Sequence, residues 1–109
     1  GEEKLDFTYI KDLVNGIICV LELKKSIKET FNLTYGNARS INTMLNLLKK
    51  EFPNIRVNYV KRDKFMPKRG TLSNLKAKKL INYRSKWNLE KGYVEYIKWY
   101  KKIFLKAQF

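Results

Sequence analysis

The chain has no histidine and one cysteine, Cys19, in 109 residues. Those two shortages remove much chemistry at once. A Ser-His-Asp or Cys-His arrangement cannot be built. An ordinary zinc site lacks its ligands, and no internal disulfide can form. Glycine is scattered: Gly16, Gly36, Gly70 and Gly92 stand singly, so no glycine-rich phosphate turn follows a strand. No tyrosine has a lysine four residues on, which removes the Tyr-x-x-x-Lys pair. Acids are few, 10 in all. Asp6 and Asp12 flank a strand–helix turn, where carboxylates act as caps, and Glu90 and Glu95 lie on the last helix opposite lysines. No apolar run approaches the roughly 20 residues that cross a bilayer, so no membrane is expected as a partner. The chain begins at Gly1 with no signal peptide, and reads as a fragment or processed product in a reducing, cytoplasmic setting. The residues thus describe a binding module without a catalytic set.

Cations are what the chain has in excess. Lys and Arg number 24, for a net charge of +14. Such a field attracts nucleic acid, anionic membranes or phosphorylated metabolites. Lysine far outnumbers arginine, and Asn, Ile, Tyr and Phe are abundant; all have A/T-rich codons. A solvated lysine surface set by base composition is the plain reading, beside a polyanion-binding face or a local phosphate site. With 44% hydrophobic and 14% aromatic residues, the chain suits one small globular domain rather than disorder.

Periodicity predicts an α/β, α+β-like unit of three short strands and about four helices. Strands are expected at residues 5–9, 31–36 and 55–59, where apolar residues alternate. Ile10, Leu13, Val14, Ile17, Ile18 and Leu21 recur at helical spacing as a core-facing stripe. Ser40 caps a helix with Ile41, Met44, Leu45, Leu48 and Phe52 on its apolar face, ended by Pro53 and Asn54. Ser73 caps a short helix carrying Leu75, Ala77, Leu80 and Ile81. Asn88 caps the last, whose stripe is Leu89, Tyr93, Tyr96, Ile97, Tyr100, Ile103 and Phe104, with Trp99 half-buried beside it. Between the third strand and the third helix, residues 60–74 hold Pro67, Gly70 and five cations without clear periodicity. That segment is the best candidate for a functional loop.

Three stretches carry a resemblance. "DFTYIKDLVNGI" is similar to the Asp-Phe-(Thr/Val)-(Tyr/His)-(Val/Ile)-x-Asp-(Leu/Val)-x-x-(Gly/Ala) segment of extended short-chain dehydrogenases, the NAD(P)-dependent sugar-nucleotide epimerases and dehydratases. "FNLTYGNARSINTMLNLL" resembles their Tyr-Asn-(Ile/Leu)-Gly-x-Gly strand–turn–helix. "SNLKAKKLINYRSKWNLEKGYVEYIKWY" resembles their closing Lys-Ala … Leu-Gly-(Tyr/Trp) … Leu-Glu-x-Gly … Trp-(Tyr/Phe) segment. The motifs fall in the family's order and cover nearly the whole chain.

The resemblance implies the C-terminal, substrate-binding third of such an enzyme, residues 1–109 forming a single region. The glycine-rich cofactor turn and the Tyr-x-x-x-Lys pair would lie upstream, in a Rossmann domain this chain does not contain. It implies NAD or NADP in the intact parent and none bound by this fragment, a nucleotide-sugar substrate, and no catalytic residue here. The family's diphosphate-binding arginine, in an Arg-Pro-Gly-Asp type of pattern, is matched in part by Arg62; Arg69 is a second candidate, and Lys4 lies near the position of an arginine that precedes "DF" in many relatives. A first strand that has lost its hairpin partner is expected to drive self-association. The alternative is a stand-alone basic module for nucleic acid or another polyanion. It requires aromatics exposed among the cations, whereas their spacing here is core-facing, so nucleic acid is not the expected partner.

Overall fold

The computed structural model describes residues 1–105. Strand β1 (Lys4–Leu5) pairs antiparallel with β2 (Arg39–Ser40), Lys4 opposite Ser40 and Leu5 opposite Arg39. Helices α1 (Ile10–Glu22), α2 (Ile41–Glu51), α3 (Leu75–Ile81) and α4 (Leu89–Tyr100) carry most of the regular structure. A short 3-10 turn, Lys24–Ser26, follows α1, and a π-helical turn, Lys101–Leu105, prolongs α4.

The mixed α/β class and the four helices are as expected; the three strands are not. The first strand ends at Leu5, residues 31–36 and 55–59 are irregular, and the second strand is the pair Arg39–Ser40. Alternation alone does not make a strand: a ladder needs a neighbour to take its N–H and C=O groups. Residues 55–59 keep the alternation in burial, with Ile55 and Val57 half-buried and Arg56 and Asn58 exposed, yet they join no sheet among the described residues. The first strand, by contrast, has a partner within the chain, at Arg39–Ser40.

Two caps are as the sequence implies. Ser40 Oγ accepts from the Thr43 N–H and Asn88 Oδ1 from the Lys91 N–H. The third helix starts from Asn74, not Ser73, and has no side-chain cap, because the Asn74 side chain is drawn inward: it is buried, and its amide donates to the Thr34 and Tyr35 carbonyls at 2.9 and 3.3 Å. Asn82 ends α3 in the left-handed region, φ 54°, where the family motif has glycine.

The core is small. Ala77, Ile81 and Tyr83 are fully buried, with Cys19, Val20, Phe31, Leu33 and Leu80 packed around them. Leu89 and Ile97 are buried on α4. The apolar stripe of α1 is not part of this core. Its buried residues are Asp12 and Gly16, while Ile10, Leu13, Val14, Ile17, Ile18 and Leu21 are 36–79% exposed. The helix lies on the fold by its small and polar side. A Cβ on Gly16 would meet the Leu33 and Tyr83 side chains at 2.9–3.1 Å, so glycine sets that approach. The α4 stripe is likewise only part core: Tyr96, Tyr100, Ile103 and Phe104 are exposed along with Trp99. The molecule is a slab of 50 × 41 × 19 Å, so thin that most helices have one face outward.

Candidate functional site

An irregular turn at Thr34, Tyr35 and Gly36 organises the site. Gly36 sits at φ +86°, a conformation that favours glycine. Its N–H donates to both Asp6 carboxylate oxygens at 3.1 and 3.2 Å, and the Tyr35 N–H donates to Thr8 Oγ1 at 3.3 Å. On the carbonyl side, the Tyr83 hydroxyl donates to Thr34 at 3.2 Å and the Ser85 hydroxyl to Tyr35 at 3.1 Å. Burial pushes the Tyr83 phenol up to about 12, with the Asp12 and Asp6 charges adding to it. The phenol therefore stays protonated and keeps its donor.

Asp6 also accepts from the Leu72 N–H at 3.2 Å, and Thr71 Oγ1 accepts from the Ala38 N–H at 2.9 Å. These contacts fix the far end of the cation-rich segment beside the chain that continues β1. Between them lies an open cleft of about 620 Å³, walled by Leu5, Asp6, Phe7 and Thr8 on one side and by residues 68–72 on the other. Lys68 and Arg69 are in its wall, Arg69 as singled out from the sequence and Lys68 as a neighbour the sequence did not distinguish.

Arg62 stands elsewhere. One guanidinium nitrogen meets Glu3 Oε1 at 2.7 Å and another donates to the Met66 carbonyl at 2.6 Å. Its fork is thus engaged within the chain, and it ties the segment to the residue before β1. Lys4 is exposed on β1. The fold therefore gathers all three sequence-selected cations around residues 3–8, Arg69 in the cleft wall and Arg62 through an ion pair.

A second, apolar cleft of about 290 Å³ opens on the other side of the same segment, where Phe7, Thr8, Tyr9 and Ile10 meet Trp87, Tyr93 and Tyr96. Tyr9 and Trp87 rings lie 4.8 Å apart, with Lys11 Nζ 4.9 Å from the Trp87 ring. Asp12 holds this wall. Buried to 3% exposure, its carboxylate accepts from the Lys86 N–H at 2.9 and 3.0 Å and from the Trp87 N–H at 2.9 Å. Asp12 is a cap, as its place implied, but for a loop 74 residues away rather than for its own helix. Arg39 and Glu90 join β2 to the first turn of α4, and the guanidinium's hydrogen bonds hold the Glu90 carboxyl below the usual carboxylate range.

No protein-family model matches the chain. An uncharacterized protein of Methanocaldococcus jannaschii is 32% identical over an alignment taking in 92% of this chain and 31% of the relative. Among solved structures, UDP-glucuronic acid 4-epimerase of Bacillus cereus, in complex with UDP-glucuronic acid and NAD, superposes with a TM-score of 0.83 at 28% identity, over 95% of this chain and 34% of that one. ADP-L-glycero-D-manno-heptose-6-epimerase of Helicobacter pylori gives 0.82 at 27%, over 94% and 32%. An epimerase of Methanothermobacter thermautotrophicus shares the fold at 0.88 and 23% identity, over 99% and 33%. The chain spans about a third of the length of each.

Proposed function

We propose, on the footing that this chain matches one third of an NAD-dependent epimerase or dehydratase of the extended short-chain dehydrogenase type, that it forms the substrate-facing part of such an enzyme and binds the diphosphate of a nucleotide sugar. The observation that carries the reading is the cleft with Lys68 and Arg69 in one wall and residues 5–8 in the other. A diphosphate needs fixed cations, best a guanidinium whose planar fork can grip two oxygens. Arg69 offers that fork to the cleft. Arg62, held by Glu3 and the Met66 carbonyl, supports the loop and adds charge, and Lys4 adds charge at the strand edge. The parent would work in the cytoplasm with NAD or NADP. The residues here do not fit that cofactor's phosphates, for no glycine-rich turn opens a helix, so its seat and the reacting groups fall to the rest of the parent. This chain contributes binding and positioning alone.

Full-length kinetics test the reading. Arg69→Ala should raise the Michaelis constant for the nucleotide sugar roughly 30- to 150-fold, the loss of one charge-assisted, forked contact. Arg69→Lys should restore part, since an ammonium keeps the charge and loses the fork. Arg62→Ala should have the smaller effect. An unchanged constant for Arg69→Ala sinks the assignment.

A second reading has one observation in its favour. Phe65 is 82% exposed with Lys64 Nζ 5.0 Å from its ring, an aromatic among cations of the kind a single-stranded nucleic acid stacks on. Salt-sensitive binding of an oligothymidylate, abolished by Phe65→Ala, would favour that reading over the first.

A further inference from the structure

We propose that Glu3 is an internal competitor for the ligand of the cationic cleft: its carboxylate holds the Arg62 guanidinium, and a phosphate group must displace it to use that charge. The proposal rests on the diphosphate reading for the identity of the ligand, and adds to it a built-in brake. The pair is placed for this. The Ile41 N–H donates to the Glu3 carbonyl at 3.0 Å, so the ladder of β1 and β2 runs on past Lys4. Side chains alternate along it, Lys4 exposed and Glu3 and Leu5 half-buried. Glu3 therefore shares a strand face with Leu5, about 7 Å along the strand, and Leu5 is where the cleft wall begins. Arg62, with a guanidinium nitrogen 2.7 Å from Glu3 Oε1, is held beside the cleft and not in it.

The contact is one a diphosphate can better. A guanidinium grips best when two of its N–H groups meet two oxygens of one anion. Here the fork is divided: one nitrogen meets a single Glu3 oxygen, and another donates to the Met66 carbonyl at 2.6 Å, a neutral acceptor on the same loop. Two phosphate oxygens would satisfy both arms and bring more charge than one carboxylate. The neighbouring acids do not share the role. Asp6 accepts from the Gly36 and Leu72 N–H groups, Asp63 from the Phe65 N–H and Glu2 from the Asn42 amide. Of these acids, Glu3 alone forms an ion pair among the described residues. Displacing it also frees the loop at one end. The far end stays fixed, by the Leu72 N–H on Asp6 and the Ala38 N–H on Thr71 Oγ1. The exposed tip, residues 63–70, lies between that anchor and Arg62. Once Arg62 leaves Glu3, the tip can turn about its far end and close on a ligand held at Arg69.

Titration of the 109-residue chain with inorganic pyrophosphate at low ionic strength tests this. Glu3→Ala should tighten binding about two- to fivefold, the range that a partly exposed ion pair opposes. Glu3→Gln is isosteric and keeps an acceptor without the charge. It should tighten binding by less, and it keeps the test open if Glu3→Ala disturbs the ladder. In an Arg62→Ala background, neither change at Glu3 should alter the constant. Glu2→Ala removes an equal charge next door, from a carboxylate that holds no cation, and should give the smaller gain expected of the general field. A gain at Glu3 that persists without Arg62, or that Glu2→Ala matches, overturns the proposal. So does no gain at all, including no binding by any of these proteins. Arg69→Ala separates the two readings. If it leaves pyrophosphate binding unchanged, the assignment of Arg69 fails while the Glu3 gain still decides the competitor; if it weakens binding and Glu3→Ala gives no gain, the competitor alone fails.

Discussion

Two irregular stretches of this chain differ in nearly everything but their lack of regular structure. The turn at Thr34, Tyr35 and Gly36 is half-buried, and the side chains of Asp6, Thr8, Asn74, Tyr83 and Ser85, from three stretches of the sequence, take its backbone groups. The tip of the cation-rich segment, residues 63–70, is exposed throughout and held by Arg62, the Asp63 carboxylate that accepts from the Phe65 N–H, and little else. Irregular backbone becomes rigid when side chains, rather than a ladder, satisfy it. Where they do not, the loop stays adaptable, and its cations remain available to a ligand.

Asp12 gives the sharpest test of the rigid side. Its carboxylate, itself buried, accepts two part-buried N–H groups and forms no ion pair among the described residues. Asp12→Ala leaves both donors without a partner and should cost about 3 kcal/mol or more. Chemical denaturation reads this directly, and a cost below about 1 kcal/mol would mean water replaces the carboxylate without loss.

Alkali should attack the same region next. The Tyr83 phenol is raised to about 12 in the fold, above its ordinary value near 10. A raised group contributes stability that is complete below the unfolded value and is lost as pH climbs through the folded one. Stability should therefore fall by about 2–3 kcal/mol between pH 10 and pH 12 from this group. Tyr83→Phe removes the step. At pH 7 it costs about 1 kcal/mol, the hydrogen bond to the Thr34 carbonyl, and near pH 12 it should be the more stable protein. Parallel denaturation curves for the two proteins across that range would refute the role given to the phenol.

How much of this was legible beforehand follows from how local each signal is. The Ser40 and Asn88 caps reach three residues along the chain and were readable. Helical periodicity says which side chains share a face; it does not say which face is covered. The α1 stripe was therefore found correctly and assigned to the wrong side. Strands at 31–36 and 55–59 failed for a related reason, since alternation records a half-buried segment and the ladder depends on a neighbour the segment does not encode. The contacts that build the site join residues 27 to 75 positions apart: Thr8 to Tyr35, Asp6 to Leu72, Asp12 to Trp87. No spacing rule reaches that far. The cation-rich segment showed itself by composition, whereas the pairing of its end with residues 5–8, which makes the cleft, did not.

The glycines allow the two stretches to be compared by one chemical change. At Gly36 an added Cβ meets the Asn74 side-chain amide at 2.8 Å, in a backbone conformation that alanine adopts only with strain. Gly36→Ala should cost about 2 kcal/mol. At Gly70 an added Cβ meets nothing within 4 Å, and Gly70→Ala should change stability by less than about 0.5 kcal/mol, or raise it slightly by restricting the unfolded chain. Equal costs at the two sites would erase the distinction drawn between them.

The smallest effect belongs to Arg62. Its ion pair with Glu3 is partly exposed, 31% and 39% for the two side chains. Pairs of that kind contribute about 0.5 kcal/mol and weaken with salt. Arg62→Ala should therefore lower the melting temperature only slightly at low ionic strength, and the difference should shrink further in high salt. The adaptable loop would then be tethered at its base by a contact weak enough to yield when a diphosphate arrives. A loss above about 1.5 kcal/mol would say the opposite. Arg62 would then be holding the segment as firmly as Asp12 holds its loop, and the cleft wall that carries Arg69 would be part of the rigid half of the molecule.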